Sequence, residues 1–328
     1  MSLYSLLRPL LFQLTPDRAH DLAQTALRWA LPWQVLGALS GLQQAKARPA
    51  QYAGVTLANP IGLAAGFDKN CDLLDALSQL GFGFLTVGSV MPEPRFGNPF
   101  PRLVRHPAEE ALVDSMGVPS KGRAYAVERL KAFDRRRTIP ILCNIGGFSA
   151  EEIARGFFEV EPYIDAVEIS LMCPNVLGPG EHFDAIGLLE QILGMIGKRR
   201  KPATVRVPND VAPSDELLSR LIETCIAGGV SGIKIGGGRP VVEPGLGTGR
   251  GTLHGAPIRD AALTNLKRAV GFAAGRLDVK GNGGVFTAAQ AASMLDAGAA
   301  CIDLYSAFIY RGWGIAREIN RGLASRAA

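Results

Sequence analysis

Two glycine-rich segments, one arginine and one cysteine are the residues best placed to do chemistry in this chain. Gly281-Asn282-Gly283-Gly284 follows a short strand-like run and precedes a helical pattern that opens at Thr287. Glycines let several backbone N–H groups converge on one anion, and a helix N-terminus adds its dipole, so this segment suits a phosphate. Residues 62–69, Gly-Leu-Ala-Ala-Gly-Phe-Asp-Lys, follow another strand-like run. Small residues there allow a flat ring system to lie against the backbone, and Lys69 offers a cation; a tight turn with a surface lysine would read the same way. Arg206 sits inside the apolar run 203–207, where a guanidinium is costly without an anionic or electron-rich partner. Cys173 comes just after the run 168–171, before Pro174-Asn175 and a glycine-rich stretch. It is placed as a base on a lid, provided its pKa is lowered or a proton acceptor lies nearby. Inert packing is the plainer reading of a single cysteine.

Positioning these residues is the task of a regular alternation. From about residue 58, strand-like runs begin near Ile61, Phe84, Pro140, Ala166, Ala203, Gly232, Asp278 and Cys301. Most are continuously apolar and end in Gly, Asn or Ser, as parallel strands buried on both faces do at a working rim. Amphipathic stretches at 72–80, 121–132, 214–227 and 287–297 separate them. Eight βα units predict a closed (β/α)8 barrel of α/β class, with a doubly wound open sheet as the alternative. The phosphate segment then closes the seventh strand and Tyr305-Ser306 the eighth.

The first fifty residues differ. Residues 2–12 and 19–31 read as two short helices around Thr15-Pro16-Asp17, with Thr15 as N-cap and Pro16 as the first helical residue. Leu6, Leu7, Leu10, Leu11, Phe12, Trp29 and Trp33 make the segment apolar, and Arg8, Arg18, Arg28, Lys46 and Arg48 outnumber Asp17 and Asp21. Such a pair either lies on a membrane surface or packs on the barrel as a hairpin.

Composition excludes several classes. The 328 residues suffice for one large domain with an accessory segment, and 47% hydrophobic with 20% charged residues is a soluble balance. Five cysteines without C-x-x-C spacing argue against a disulfide framework or a zinc site, and fit a reducing cytosol. A net charge of +5 without a basic, aromatic-interleaved stripe does not mark a nucleic-acid binder. The basic runs at 134–137 and 198–201 read as solvated loops or helix ends. No apolar run reaches the ~18 residues that span a bilayer, and Arg8 and Pro9 break the layout of a signal peptide.

Together these segments resemble the dihydroorotate dehydrogenase family over essentially the whole chain. The resemblance is carried by residues 11–20 (Leu-Phe-Gln-Leu-Thr-Pro-Asp-Arg-Ala-His), 59–69 (Asn-Pro-Ile-Gly-Leu-Ala-Ala-Gly-Phe-Asp-Lys) and 97–103 (Gly-Asn-Pro-Phe-Pro-Arg-Leu), which look like the membrane-associated, quinone-using class 2 enzymes. It implies a helical segment at 1–50 and a barrel at 51–328 that binds flavin mononucleotide (FMN), with a peripheral place on the inner face of the cell membrane. Ala65, Gly66 and Lys69 would flank the isoalloxazine, with Ser89 and Asn144 nearby and Ser170 and Gly236 in the same cofactor set. Arg206 would stand where the family usually has a lysine, facing the N1–O2 edge of the reduced ring. Gly255, Gly284, Tyr305 and Ser306 match the positions that hold the ribityl phosphate. The implied reaction is proton abstraction from one carbon by a base, Cys173, with hydride transfer from its neighbour to flavin N5; a quinone would take up the electrons through a tunnel under the N-terminal helices.

The substrate positions depart from the family. Lys69, Asp114, Met116, Gly117, Val118, Asn175 and Gly237 form the implied substrate set, but the family's four gripping asparagines read here as Asp114, Ser170, Asn175 and Gly237. A carboxylate at 114 repels a substrate carboxylate in a low-dielectric pocket. Cys173 is the base of the soluble class 1 enzymes, where class 2 carries serine. Two activities follow: dihydroorotate oxidation within pyrimidine biosynthesis, or the same flavin chemistry on another small molecule. A non-catalytic flavin- or phosphate-binding barrel is a third reading, against which Lys69, Cys173 and Asn175 count.

Overall fold

A computed structural model describes residues 3–29, 32–33, 35, 37, 48–133, 139–171, 184–207, 214–236 and 238–326. Its centre is a closed barrel of eight parallel strands: β1 (Ile61–Leu63), β2 (Phe84–Val90), β3 (Ile141–Ile145), β4 (Ala166–Ser170), β5 (Ala203–Arg206), β6 (Gly232–Gly236), β7 (Asp278–Asn282) and β8 (Cys301–Leu304). Each pairs with its neighbours in chain order, and Ile302↔Ile61 closes β8 onto β1. Seven strands start where the apolar runs predict; the run at Pro140 starts its strand one residue later. Closure decides against the open sheet.

Alternation along each strand explains why the runs look continuously apolar. In β4, Val167 and Ile169 join the large core beneath the outer helices, whereas Ala166 belongs to a separate cluster inside the barrel. Helices at Ala150–Val160, Ala185–Met195, Asp215–Ala227 and Ala288–Asp296 supply the outer layer. Their N-caps Ser149, Asp184, Ser214 and Thr287 each accept a backbone N–H three residues on, which fixes where each return helix begins. Only Leu74–Leu77 of the predicted 72–80 stretch is helical. The Asp68 carboxylate takes the N–H groups of Asp72 and Leu73 and holds the preceding residues as a loop.

The floor of the barrel is stopped by a hairpin, Ala50–Tyr52 against Val55–Leu57. Its two turn residues, Ala53 and Gly54, both have positive φ, at 54° and 76°, the geometry whose twist matches paired strands. Tyr52 and Leu57 are fully buried against Phe84, Leu142, Ala166 and Cys301, and Asp278 of β7 accepts the Ala53 N–H at 2.7 Å.

A four-stranded antiparallel sheet stands beside the mouth, in the order Arg239–Val242, Arg250–Gly255, Ala111–Asp114 and Leu103–His106. Two helices precede the barrel, α1 (Leu3–Leu11) and α2 (Pro16–Leu27). Pro16 opens α2 as predicted, but the Thr15 side chain makes no cap hydrogen bond. Tyr4 packs edge-on against Trp313 and Phe12 against Tyr310, while Gln24 donates to the Phe67 carbonyl at 2.7 Å. The pair is thus docked on the barrel, yet Leu6, Leu10, Leu22 and Trp29 remain 50–71% exposed. No helix among the described residues is long and apolar enough to cross a membrane. The basic run at 134–137 lies outside the described residues.

Candidate active site

The loop after β1 is tied to β2 by backbone bonds: Gly66 donates to Gly88 and Gly88 donates back to Asp68. Gly66 sits at φ +102°, and the Tyr305 ring lies 3.5 Å from where a Cβ would be. Lys69 curls back to donate to the Gly66 carbonyl at 2.6 Å. Burial pulls its pKa down to about 8 against the opposing pull of Asp114. Ala65 belongs to this loop, and Ser89 lies near the end of β2, so the structure gathers Ala65, Gly66, Lys69 and Ser89 at one edge of the mouth.

Asn144, one residue from the end of β3, is completely buried. Its amide donates to Glu168 at 2.8 Å, and its Oδ1 has no hydrogen-bond partner among the described residues. Ser170 ends β4 beside Arg206, which ends β5, which in turn pairs with Lys234 on β6. Asn144 adjoins Gly88 of β2, and Ser170 and Arg206 carry the rim onwards along β4 and β5 to its other edge.

Between these edges the backbone forms a cradle. Gly236, Gly255, Gly283 and Gly284 all have positive φ, from 66° to 125°, a region L side chains rarely enter. A Cβ on Gly284 would lie 2.7 Å from Arg259 Cβ and 2.9 Å from the Gly255 carbonyl oxygen, and one on Gly255 would strike the Glu110 carbonyl. Gly255, Gly284, Tyr305 and Ser306 line one narrow cavity with His254 and Asp303. Thr287 and Gln290 make a reciprocal capping box at the next helix, so that helix start is held rigidly next to the cradle. A backbone cradle that only glycine can build, an orphaned buried acceptor at Asn144 and a cation at Arg206 together fit a phosphorylated ring cofactor of the FMN type.

Asp114 and His254 share one face of the antiparallel sheet. His254 Nε2 lies 2.8 Å from Asp114 Oδ1. Burial alone would raise the Asp114 pKa, but its hydrogen bond and charge interaction with His254, and then Lys69, bring it below the ordinary value. Asp114 is thus a firmly ionised carboxylate with two partners of its own. Met116 donates its N–H towards Asp114 at 3.4 Å, and Gly117 packs on Asn98. Val118 has φ +49°, an outlying conformation for a β-branched residue. Cys173, Asn175 and Gly237 lie outside the described residues.

Beneath the mouth the barrel holds a buried chain of charges. Lys280 lies 2.7 Å from Glu168 and 3.2 Å from Asp303, and Lys234 lies 3.0 Å from Asp303. Lys280 also donates to Thr86 at 3.2 Å, with the rings of Tyr52 and Phe84 each 5.5 Å away. All four charged residues are at most 4% exposed. Sequence reasoning missed these and His254. The signal that marks Arg206, a charge inside an apolar strand, was equally present at Glu168, Lys234, Lys280 and Asp303.

Outside the mouth, α2 and the barrel rim enclose a cleft of about 350 Å3 lined by His20, Gln24, Arg28, Lys69, Arg102 and Met116, among others. Burial, reinforced by Lys69, lowers the His20 pKa to about 3, so its imidazole is neutral.

Comparison with known proteins agrees with this arrangement. The family model described as dihydroorotate dehydrogenase matches residues 49–326. A protein of Methylococcus capsulatus named dihydroorotate dehydrogenase (quinone) is 36% identical, across 98% of this chain and 98% of that protein. One of the same name from Roseiflexus castenholzii is 35% identical, across 98% of this chain and 92% of its own length. The crystal structure of DHODH in complex with ferulenol from Eimeria tenella superposes with a TM-score of 0.80, at 22% identity, covering 95% of this chain and 91% of that one, and so shares the fold. With the barrel, the cradle and the match over residues 49–326 in agreement, this chain belongs to the dihydroorotate dehydrogenase family, a family of FMN-dependent oxidoreductases.

Proposed function

We propose that the chain oxidises dihydroorotate to orotate with FMN as its redox cofactor and a quinone as final acceptor. The observation that carries this is similarity over 98% of the chain, N-terminal helices included, to proteins named dihydroorotate dehydrogenase (quinone). Bound FMN supplies a two-electron acceptor. The glycine cradle at 255 and 284 with Ser306 holds its phosphate, and Arg206 and Asn144 meet polar atoms of its ring. Lys69 sets a cation at the substrate edge, and Cys173 takes the proton from the carbon next to the one that is oxidised. The cleft beside His20 and Arg102 suits a quinone headgroup.

The Asp114–His254 pair favours a second reading: the same dehydrogenation of a substrate without a carboxylate. Asp114 supplies Lys69 with an internal counter-charge and presents an anion where a substrate carboxylate would approach. One anaerobic experiment separates the two. If dihydroorotate bleaches the yellow protein and a short-chain quinone restores the colour, the first reading holds. A yellow protein that dihydroorotate leaves unbleached sinks it. On the second reading, Asp114→Asn then binds orotate about ten- to a hundredfold more tightly than wild type, the scale of one removed charge repulsion. No gain in affinity would discard that reading as well.

We propose further that α1 and α2 rest on a membrane surface, supported by the outward Leu6, Leu10, Leu22 and Trp29 and the basic residues between them. The full-length protein should float with anionic phospholipid vesicles, and Leu6→Ser with Leu10→Ser should abolish flotation. Equal flotation of both proteins would refute the surface contact.

A further inference from the structure

We infer that the buried chain Glu168–Lys280–Asp303–Lys234 is an electrostatic positioning element for the cofactor, with Lys234 as a second cation under the ring beside Arg206. The inference rests on the FMN reading. Burying four charges is not a route to stability, because apolar side chains of similar volume usually serve a barrel interior as well or better. Their retention here is explained by what they adjoin.

The chain runs from floor to mouth. Lys280 is nearest the floor, between the rings of Tyr52 and Phe84. Glu168 and Asp303 both meet its ammonium, at 2.7 and 3.2 Å. Glu168 takes the Asn144 amide, which leaves Asn144 Oδ1 turned away as a free acceptor. Asp303 lines the same cavity as Gly284 and Ser306, and holds the Lys234 ammonium at 3.0 Å. Lys234 is the strand partner of Arg206 at the rim. Glu168, Asp303 and Lys234 thus each touch or adjoin a residue of the cofactor set, and Lys280 ties the two carboxylates together from below.

Charge at this depth is felt strongly, since little water lies between these groups and a ring seated above them. Two cations paired on neighbouring strands at this end of the barrel would stabilise the reduced cofactor, which carries more negative charge than the oxidised form. The two carboxylates hold the lysines in place and moderate the same effect.

The test is the FMN midpoint potential of purified holoprotein, measured by equilibration with a reference dye. Lys234→Met should shift the reduced-to-oxidised ratio about tenfold against reduction, roughly 30 mV lower for a two-electron couple. Asp303→Asn should shift it in the opposite direction, and the double variant should return close to wild type. Simple loss of packing would not move two single variants in opposite senses. Single variants that shift together, or leave the potential within a few millivolts of wild type, would overturn the inference. If Lys234→Met does not fold, Asp303→Asn alone decides, by a rise or its absence. A protein that takes up no FMN fails the flavin reading itself, whereas a yellow protein with unmoved potentials fails only this one.

Discussion

Lys280→Met is expected to lower the unfolding free energy by about 3–5 kcal/mol, as read from urea denaturation at neutral pH. The side chain is fully buried and meets Glu168 at 2.7 Å, Asp303 at 3.2 Å and Thr86 at 3.2 Å. Removing its ammonium leaves two carboxylates sharing one remaining lysine in a dry interior. Methionine replaces most of the volume, so lost packing is the smaller part. Adding Glu168→Leu should recover much of the loss, because an apolar pair leaves fewer uncompensated charges than half of an ion network. The acid limb provides a second signature. Burial would raise the Glu168 pKa, but Lys280 and then Lys234 hold it well below its ordinary value. A carboxyl depressed in the folded state contributes stability that is complete above its unfolded pKa, about 4.3, and lost as pH falls towards the folded value. Wild type should therefore lose stability below about pH 4.3 more steeply than the double variant. A loss under about 1 kcal/mol for Lys280→Met would show that water reaches these groups.

Cys173→Ala is expected to slow anaerobic reduction of the bound FMN about 10²- to 10⁴-fold, the usual worth of a positioned general base. FMN content should be little changed, because the glycine cradle, Asn144 and Arg206 lie on other segments. Cys173→Ser should restore part of the rate, with its optimum moved to higher pH, since a hydroxyl gives up its proton less readily than a thiol. Stopped-flow absorbance of the yellow band measures all three proteins. Unaltered reduction by Cys173→Ala would transfer the role of base to another group, and His254, oriented by Asp114 at 2.8 Å, would be the first to examine.

The barrel was legible because its strands are buried on both faces and end in residues that cannot continue a strand. The apolar run from Phe84 and the turn at Gly283-Gly284 each state a local rule that tertiary structure has no reason to overturn. Thr15 shows the limit of such rules, since Pro16 alone suffices to open α2 without a side-chain cap. Asp114 could be recognised as out of place, but its partner could not. His254 reaches it only through the pairing of strands 111–114 and 250–255, and nothing local to either residue encodes that register. The interior charges were visible one at a time and were passed over for a different reason. Glu168, Lys234 and Asp303 are each the only charge in an apolar strand and Lys280 shares β7 with Asp278 alone, and their mutual neutralisation exists only once eight strands have closed. Arg206 carries the same local signal, a charge inside an apolar strand, and is set apart from the others only by the family resemblance that places it against a flavin.

The hairpin floor gives these charges an unusual relation to the medium. Exposed groups such as Lys121 and Arg28 around Asp72 are surrounded by dissolved ions that weaken any field beyond about 8 Å at physiological ionic strength. Tyr52, Leu57 and Phe84 deny those ions an entry from below, and a ring lying across the mouth would deny them one from above. The field of the inner charges would then be nearly the same in dilute buffer as in brine, a setting fixed by the sequence and insulated from the composition of the surroundings.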